Sequence, residues 1–180
     1  MIEKIYSGKE FFSYCYNNSE LYGCLWLNFY KSSVIKEKRL IEKIVYEDTP
    51  VIFEVFNSDI KVKYIKDQLL YHRLNYNSVM RSSMNNMKIR SNILGMERML
   101  LLYNNDIKKT KEQLLFIRWV ASTHFTGLRA LERFDIETKK LCRRFNEICI
   151  KNRKLLSKSL FKEYIKLFIK SPIKAFKAIL

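Results

Sequence analysis

Val45-Tyr46-Glu47-Asp48-Thr49-Pro50-Val51-Ile52-Phe53-Glu54-Val55-Phe56 sets two adjacent carboxylates directly before an apolar run. Proline is favoured in the first turn of a helix, where its missing N–H would have had no partner. Asp or Thr just ahead of it is an ordinary N-cap choice. The stretch predicts a helix over about 50–58, with Glu47 and Asp48 at its positive end, where the dipole favours an ionised carboxylate. Two roles fit Asp48 from this local pattern: a cap, or a fixed base for proton transfer. They are compatible.

Outward from this helix, the chain reads as α+β and mostly helical. Its 180 residues are enough for a real core. The apolar content of 48% points to a globular fold, and only 4 Gly and 2 Pro argue against a sandwich full of tight turns. Upstream, 1–8 reads as an entry strand or coil, and Lys9 to Asn18 as a short helix closed by Asn17-Asn18-Ser19. Tyr22, Trp26 and Phe29/Tyr30 are spaced as one face of a helix over 21–33, and a core stripe is the plain reading of that face. A charged connector, 34–43, leads back to the acidic pair. Downstream, Ile60 to Tyr64 alternates apolar with basic, which is strand periodicity, and Leu69 to Leu74 reads as a second extended segment before a polar loop over 75–83.

Beyond residue 84 the periodicity is helical. Helices are predicted over 85–103, 108–133 (with Gly127 as a bend or interruption) and 135–156. Cys142 and Cys149, seven residues apart, share a face of the last one, and core placement accounts for them. The final stretch, 157–180, is a basic amphipathic element with Lys158, Lys162, Lys166, Lys170 and Lys174 at four-residue spacing, kinked at Ser171-Pro172. The organisation expected is thus 1–83, 84–156 and 157–180.

The net charge of +16, from 34 Lys plus Arg against 18 Asp plus Glu, calls for an anionic partner. Residues 151–180 hold nine basic residues and one acid, half of the excess. A solvated helix face would account for the tail's lysines. Its dense apolar residues favour instead an anionic membrane surface, so the expected location is cytoplasmic, peripheral at the inner face of the plasma membrane. No nucleic-acid motif accompanies the charge, so nucleic acid is not an expected partner. Cys15, Cys24, Cys142 and Cys149 form no CxxC pair, and only His72 and His124 could join them, so no zinc site is expected. No leader and no spanning segment are expected either.

Residues 7–83 resemble the second, acceptor-side half of a family 2 glycosyltransferase domain of the GT-A fold, most of all the bacterial enzymes of capsular and surface polysaccharide assembly. The resemblance rests on motifs in the family's order: Ser7-Gly8-Lys9-Glu10-Phe11-Phe12; Leu25-Trp26-Leu27-Asn28-Phe29-Tyr30-Lys31; Tyr46-Glu47-Asp48; Phe53-Glu54; Lys63-Tyr64-Ile65 with Leu70-Tyr71-His72-Arg73 as paired strands; and Asn77-Ser78-Val79-Met80. It implies Asp48 as catalytic base, Glu47 and Trp26 as acceptor contacts, and Arg73 near the donor diphosphate. Arg73 reads equally as a solvent-facing strand residue, and His72 as a packing residue.

The resemblance also implies what the chain does not carry. In the family, the nucleotide-sugar pocket and a metal-holding Asp-x-Asp precede the region matched, and no Asp-x-Asp occurs in this sequence. The expectation is a truncated or split glycosyltransferase-like protein of bacterial surface polysaccharide biosynthesis. No cofactor would bind to this chain alone; a nucleotide-sugar donor and a divalent metal enter only with a donor-binding chain. The acceptor would be a glycan or a lipid-linked sugar. The alternative is a non-catalytic, membrane-surface or partner-binding remnant of such an enzyme.

Overall fold

A computed structural model describes residues 4–18, 24–65, 67, 69–71, 73, 75–76, 78–130, 133–156 and 169. The architecture is α+β and mostly helical. Strand β1 (Ile5–Ser7) and strand β2 (Lys61–Lys63) form a two-stranded antiparallel sheet, with Tyr6 opposite Val62. The helices are α1 (Gly8–Asn17), α2 (Ser32–Ile35), α3 (Asp48–Phe56), α4 (Asn86–Asn105), α5 (Lys111–Ala130) and α6 (Ile136–Lys151).

Local signals set the helix starts. Ser7 and Glu10 form a capping box: Ser7 N–H donates to the Glu10 carboxylate at 2.7 Å and Glu10 N–H to Ser7 Oγ at 3.3 Å. Thr110 and Gln113 repeat the device ahead of α5. Asn85 and Asp135 accept the amides of Lys88 and Thr138 at the heads of α4 and α6.

One apolar core joins these elements. Phe12 of α1, Phe53 of α3 and Phe116 of α5 meet as a ring cluster, Phe12 edge-on to both partners at 5.6 Å. Ile89, Ile93, Met96 and Met99 of α4 fill the space beside α3, and Phe145 and Cys142 of α6 close the far side. The stretches 1–83 and 84–156 therefore contribute to a single core. Cross-links from Arg90 to Asp135 and Glu137, from Glu97 to Arg144, and from Asn104 to Asn152 advance together along both helices, so α4 and α6 run parallel.

Several expectations change. The aromatic stretch 21–33 is not one helix: Leu25–Leu27 is a 3-10 turn, Asn28 to Lys31 is extended or irregular, and α2 follows. Asn28 donates its side-chain amide to the Cys24 carbonyl, an alternative to helical bonding that suits a turn. Trp26 is 48% and Phe29 83% exposed, so this is no core stripe; Tyr22 lies outside the described residues. The paired strands expected over 63–65 and 70–73 do not form. β2 takes β1 as its partner instead, because Tyr6 is buried there and the Gly8 amide extends the contact to the Ile60 carbonyl at 3.0 Å. Residues 69–71 and 73 are irregular and exposed, and His72 lies outside the described residues. Helix α5 runs through Gly127 without a break. The tail, with Lys158, Lys162, Lys166, Lys170 and Lys174, lies outside the described residues.

Gly8 is required by close approach. A Cβ there would stand 2.4 Å from the Phe56 carbonyl oxygen and 2.9 Å from Ile60 Cγ1. Helix propensity alone would favour alanine by about 1 kcal/mol. The clash with backbone outweighs it, so Gly8→Ala should lose about 2 kcal/mol of stability. A urea unfolding midpoint equal to or above that of the parent would show that α1 can move off Phe56.

Candidate functional site

The site is built at the start of α3. Its first helical residue is Asp48; the preceding Glu47 makes no side-chain cap bond. The Asp48 carboxylate instead accepts from the Leu25 amide at 3.4 Å, reaching across to the 3-10 turn. Asp48 is thus tied to the turn that carries Trp26, and the pattern read as a cap proves to be a cross-link between two segments.

The backbone leading into the pair is bent. Lys43 and Tyr46 have φ of 58° and 61°, the left-handed region that bulky residues rarely enter. Such conformations cost roughly 1–3 kcal/mol and persist where neighbours over-determine them. Here Val45 N–H donates to Ser91 Oγ at 2.9 Å, and Ser91 in turn donates to the Met87 carbonyl, so α4 holds the bend. Thr49 N–H donates back to the Tyr46 carbonyl at 3.2 Å and closes the turn. The result fixes the direction in which Glu47 and Asp48 leave the chain.

The neighbourhood is half-buried and short of cations. Burial pushes the Asp48 carboxyl above the ordinary carboxylate range; the Leu25 amide pulls it back, and the Glu47 charge pushes it up again. Burial raises the Tyr30 phenol to about 12, the Asn28 side chain opposes that, and Asp48 adds to it. Burial and then Asp48 likewise raise the Cys24 thiol. Nearly two turns further along α3, Glu54 has a different environment. Burial alone would raise it, but hydrogen bonds from Lys38 at 2.8 Å and from Arg98 hold it below the ordinary range. Glu54 is therefore a structural tie, and Asp48 is the carboxylate with no cation against it among the described residues.

The structure brings together Trp26, Glu47 and Asp48. Arg73 stands apart in the irregular stretch after β2, exposed and without a hydrogen bond or ion pair among the described residues. The five tail lysines fall outside them. Leu25, Tyr30, Cys24 and Ser91 were not among the site residues expected from the sequence. Leu25 and Ser91 act through a backbone amide and a helix-borne hydroxyl, which leave no local pattern. Tyr30 stood in the Leu25–Lys31 motif and in the aromatic stripe, without a role of its own. Among the described residues no three His, Cys, Asp or Glu side chains come together as a metal site, and no helix is long and apolar enough to cross a membrane. Comparison with protein-family models, curated proteins and solved structures gave no match.

A raised carboxyl in the folded state binds its proton more tightly than in the unfolded chain. Its stabilising contribution is complete below the ordinary carboxylate range and is lost as pH rises through the raised folded value. Glu54 has the opposite sign, its contribution being lost as pH falls through its lowered value. Asp48→Asn should therefore remove a fall in stability with rising pH just above the ordinary carboxylate range, and leave the acid loss due to Glu54. Unfolding free energies measured from about pH 3 to 7 check this. Parallel curves for parent and variant would mean that Asp48 is solvated like a surface acid.

Proposed function

We propose that this chain supplies the acceptor side of a sugar-transfer reaction, as in the GT-A family 2 glycosyltransferases of bacterial surface polysaccharide assembly. The observation that carries the reading is the setting of Asp48: half-buried, tied to the Trp26 turn, and without a cation. A carboxylate kept from full solvation is a stronger base than one in water, which suits removal of a proton from an acceptor hydroxyl. The oxygen of that hydroxyl forms the new bond to the anomeric carbon as the bond to the nucleoside diphosphate breaks, and the proton passes to Asp48. Trp26, half-exposed on the turn that Leu25 ties to Asp48, would offer the apolar face of a sugar ring a flat surface. Glu47, its neighbour, adds a carboxylate able to accept from a second acceptor hydroxyl.

The donor side is not among these residues. The sequence has no Asp-x-Asp, and the oxygen ligands that Mg²⁺ or Mn²⁺ would need do not converge among the described residues. Metal and nucleotide sugar belong, in this reading, to a donor-binding chain. Arg73, exposed in the stretch after β2, would be the residue to approach such a chain's diphosphate. The tail lysines Lys158, Lys162, Lys166, Lys170 and Lys174 would hold the chain at an anionic membrane, where lipid-linked acceptors are found. The missing Asp-x-Asp equally favours a second reading, a remnant that keeps acceptor and membrane binding without turnover.

With a donor-binding chain present, Asp48→Asn should lower transfer by about 10²–10⁴-fold. Trp26→Ala should act mainly on the acceptor KM. Labelled-sugar transfer to a lipid-linked acceptor reads both. Equal rates for parent and Asp48→Asn would remove Asp48 from the chemistry. Acceptor binding without transfer in any combination would leave the remnant reading.

A further inference from the structure

The outward face of α6 carries a cationic surface that the sugar-transfer reading does not use. Successive helical positions lie 100° apart. On that wheel Ile136, Lys139, Lys140, Arg143, Glu147, Ile150 and Lys151 occupy one sector, opposite the buried Thr138, Cys142 and Phe145, and each of them is exposed. Lys154, in the turn of helix that follows, continues the same sector and is also exposed. Five cations thus face outward against Glu147 alone.

Among the described residues, the acids that form ion pairs do so with cations outside this face. Asp106 is bound to Lys9, Glu54 to Lys38 and Arg98, Asp135 and Glu137 to Arg90, and Glu97 to Arg144. Glu10 is used in the α1 capping box. None of Lys139, Lys140, Arg143, Lys151 and Lys154 forms an ion pair among the described residues. Like charges at four-residue spacing, as in Lys139 and Arg143, weaken an isolated helix, while Glu147, four residues from Arg143 and from Lys151, offsets part of that cost. Two large aliphatics stand among the cations: Ile136 is 74% and Ile150 67% exposed. They are about 21 Å apart along the axis, Ile136 ahead of the cationic row and Ile150 within it.

We infer that the outer face of α6 docks this protein onto an anionic lipid bilayer, its cations against the headgroups and Ile136 and Ile150 in the interface. Charge complementarity selects an anionic surface. The isoleucines select lipid over a nucleic-acid backbone, which offers no apolar layer to receive them. The face belongs to the folded body, so it adds to, and is separable from, any contact made by the tail, and it does not depend on sugar transfer.

The test is partition of the full chain onto vesicles of phosphatidylglycerol mixed with phosphatidylcholine, against phosphatidylcholine alone. The parent should bind the anionic vesicles only. The variant K139E/K140E/R143E should lose on the order of 100-fold in partition, from about fivefold per cation removed. I136S/I150S should lose several-fold while keeping its salt dependence. All these positions are exposed, and circular dichroism verifies that the variants are folded. The inference is overturned if the triple variant partitions like the parent while K158E/K162E/K166E does not, since the tail alone would then hold the membrane. It is also overturned if the parent ignores the vesicles but binds duplex DNA or RNA in a K139E/K140E/R143E-sensitive way.

Discussion

Helix α3 must be enclosed, and most of the molecule is arranged to enclose it. Pro50, Val51, Ile52, Phe53, Val55 and Phe56 are all buried, which leaves the helix almost no side that can face water. Burying a large apolar side chain is worth about 1.5–3 kcal/mol, so exposure of any one side would be costly. Helices α1, α4 and α5 supply the walls, and the Phe12–Phe53–Phe116 cluster is where they meet. The one charge in the buried segment, Glu54, is satisfied by two cations brought from the connector and from α4. Removing either cation would leave a partly buried carboxylate short of partners, a more costly state than never having had the pair.

The same enclosure defines the site. An apolar helix with only its first turn near the surface has one polar end, and Glu47 and Asp48 sit at it. The left-handed Tyr46 and its α4 anchor at Ser91 set the entry angle. The turn bearing Trp26 is then drawn in by the Leu25 amide. Burial and the positions of charges thus give two carboxylates on one helix different environments: Glu54, paired with Lys38 and Arg98, ties the structure together, while Asp48 is raised by burial and has no cation against it among the described residues.

Much of this was legible in the sequence. The helices of the second half and the start of α3 follow from periodicity and cap residues that act within a few positions. What was not legible depended on partners distant in the chain. Trp26 and Phe29 have helical spacing, but Asn28 and the pull of Asp48 on Leu25 favour a turn, so the aromatic face that promised core lies half in solvent. β2 alternates as a strand should, yet its partner is decided by the burial of Tyr6 and the absence of a Cβ at Gly8, some fifty residues earlier. The Asp48 and Glu54 environments could not be separated by pattern, because Lys38 and Arg98 approach from different elements.

The position of α1 bears on how the chain is made. It is the first helix to be synthesised, but the groups that hold it come late: the Ile60 carbonyl for Gly8, Asp106 and the Lys108 carbonyl for Lys9, Glu112 for Ser13, and the Phe116 ring for Phe12. A ten-residue helix is marginal by itself in water. Until residues beyond 116 have left the ribosome, α1 has no complete surface to settle on, and Phe12, Tyr6 and Phe11 stay exposed. Contacts of such large sequence separation also slow folding, because long loops must close before they yield any stabilisation. The amino-terminal segment therefore waits for α5 before it can lock, and during that interval its aromatic side chains are open to wrong contacts.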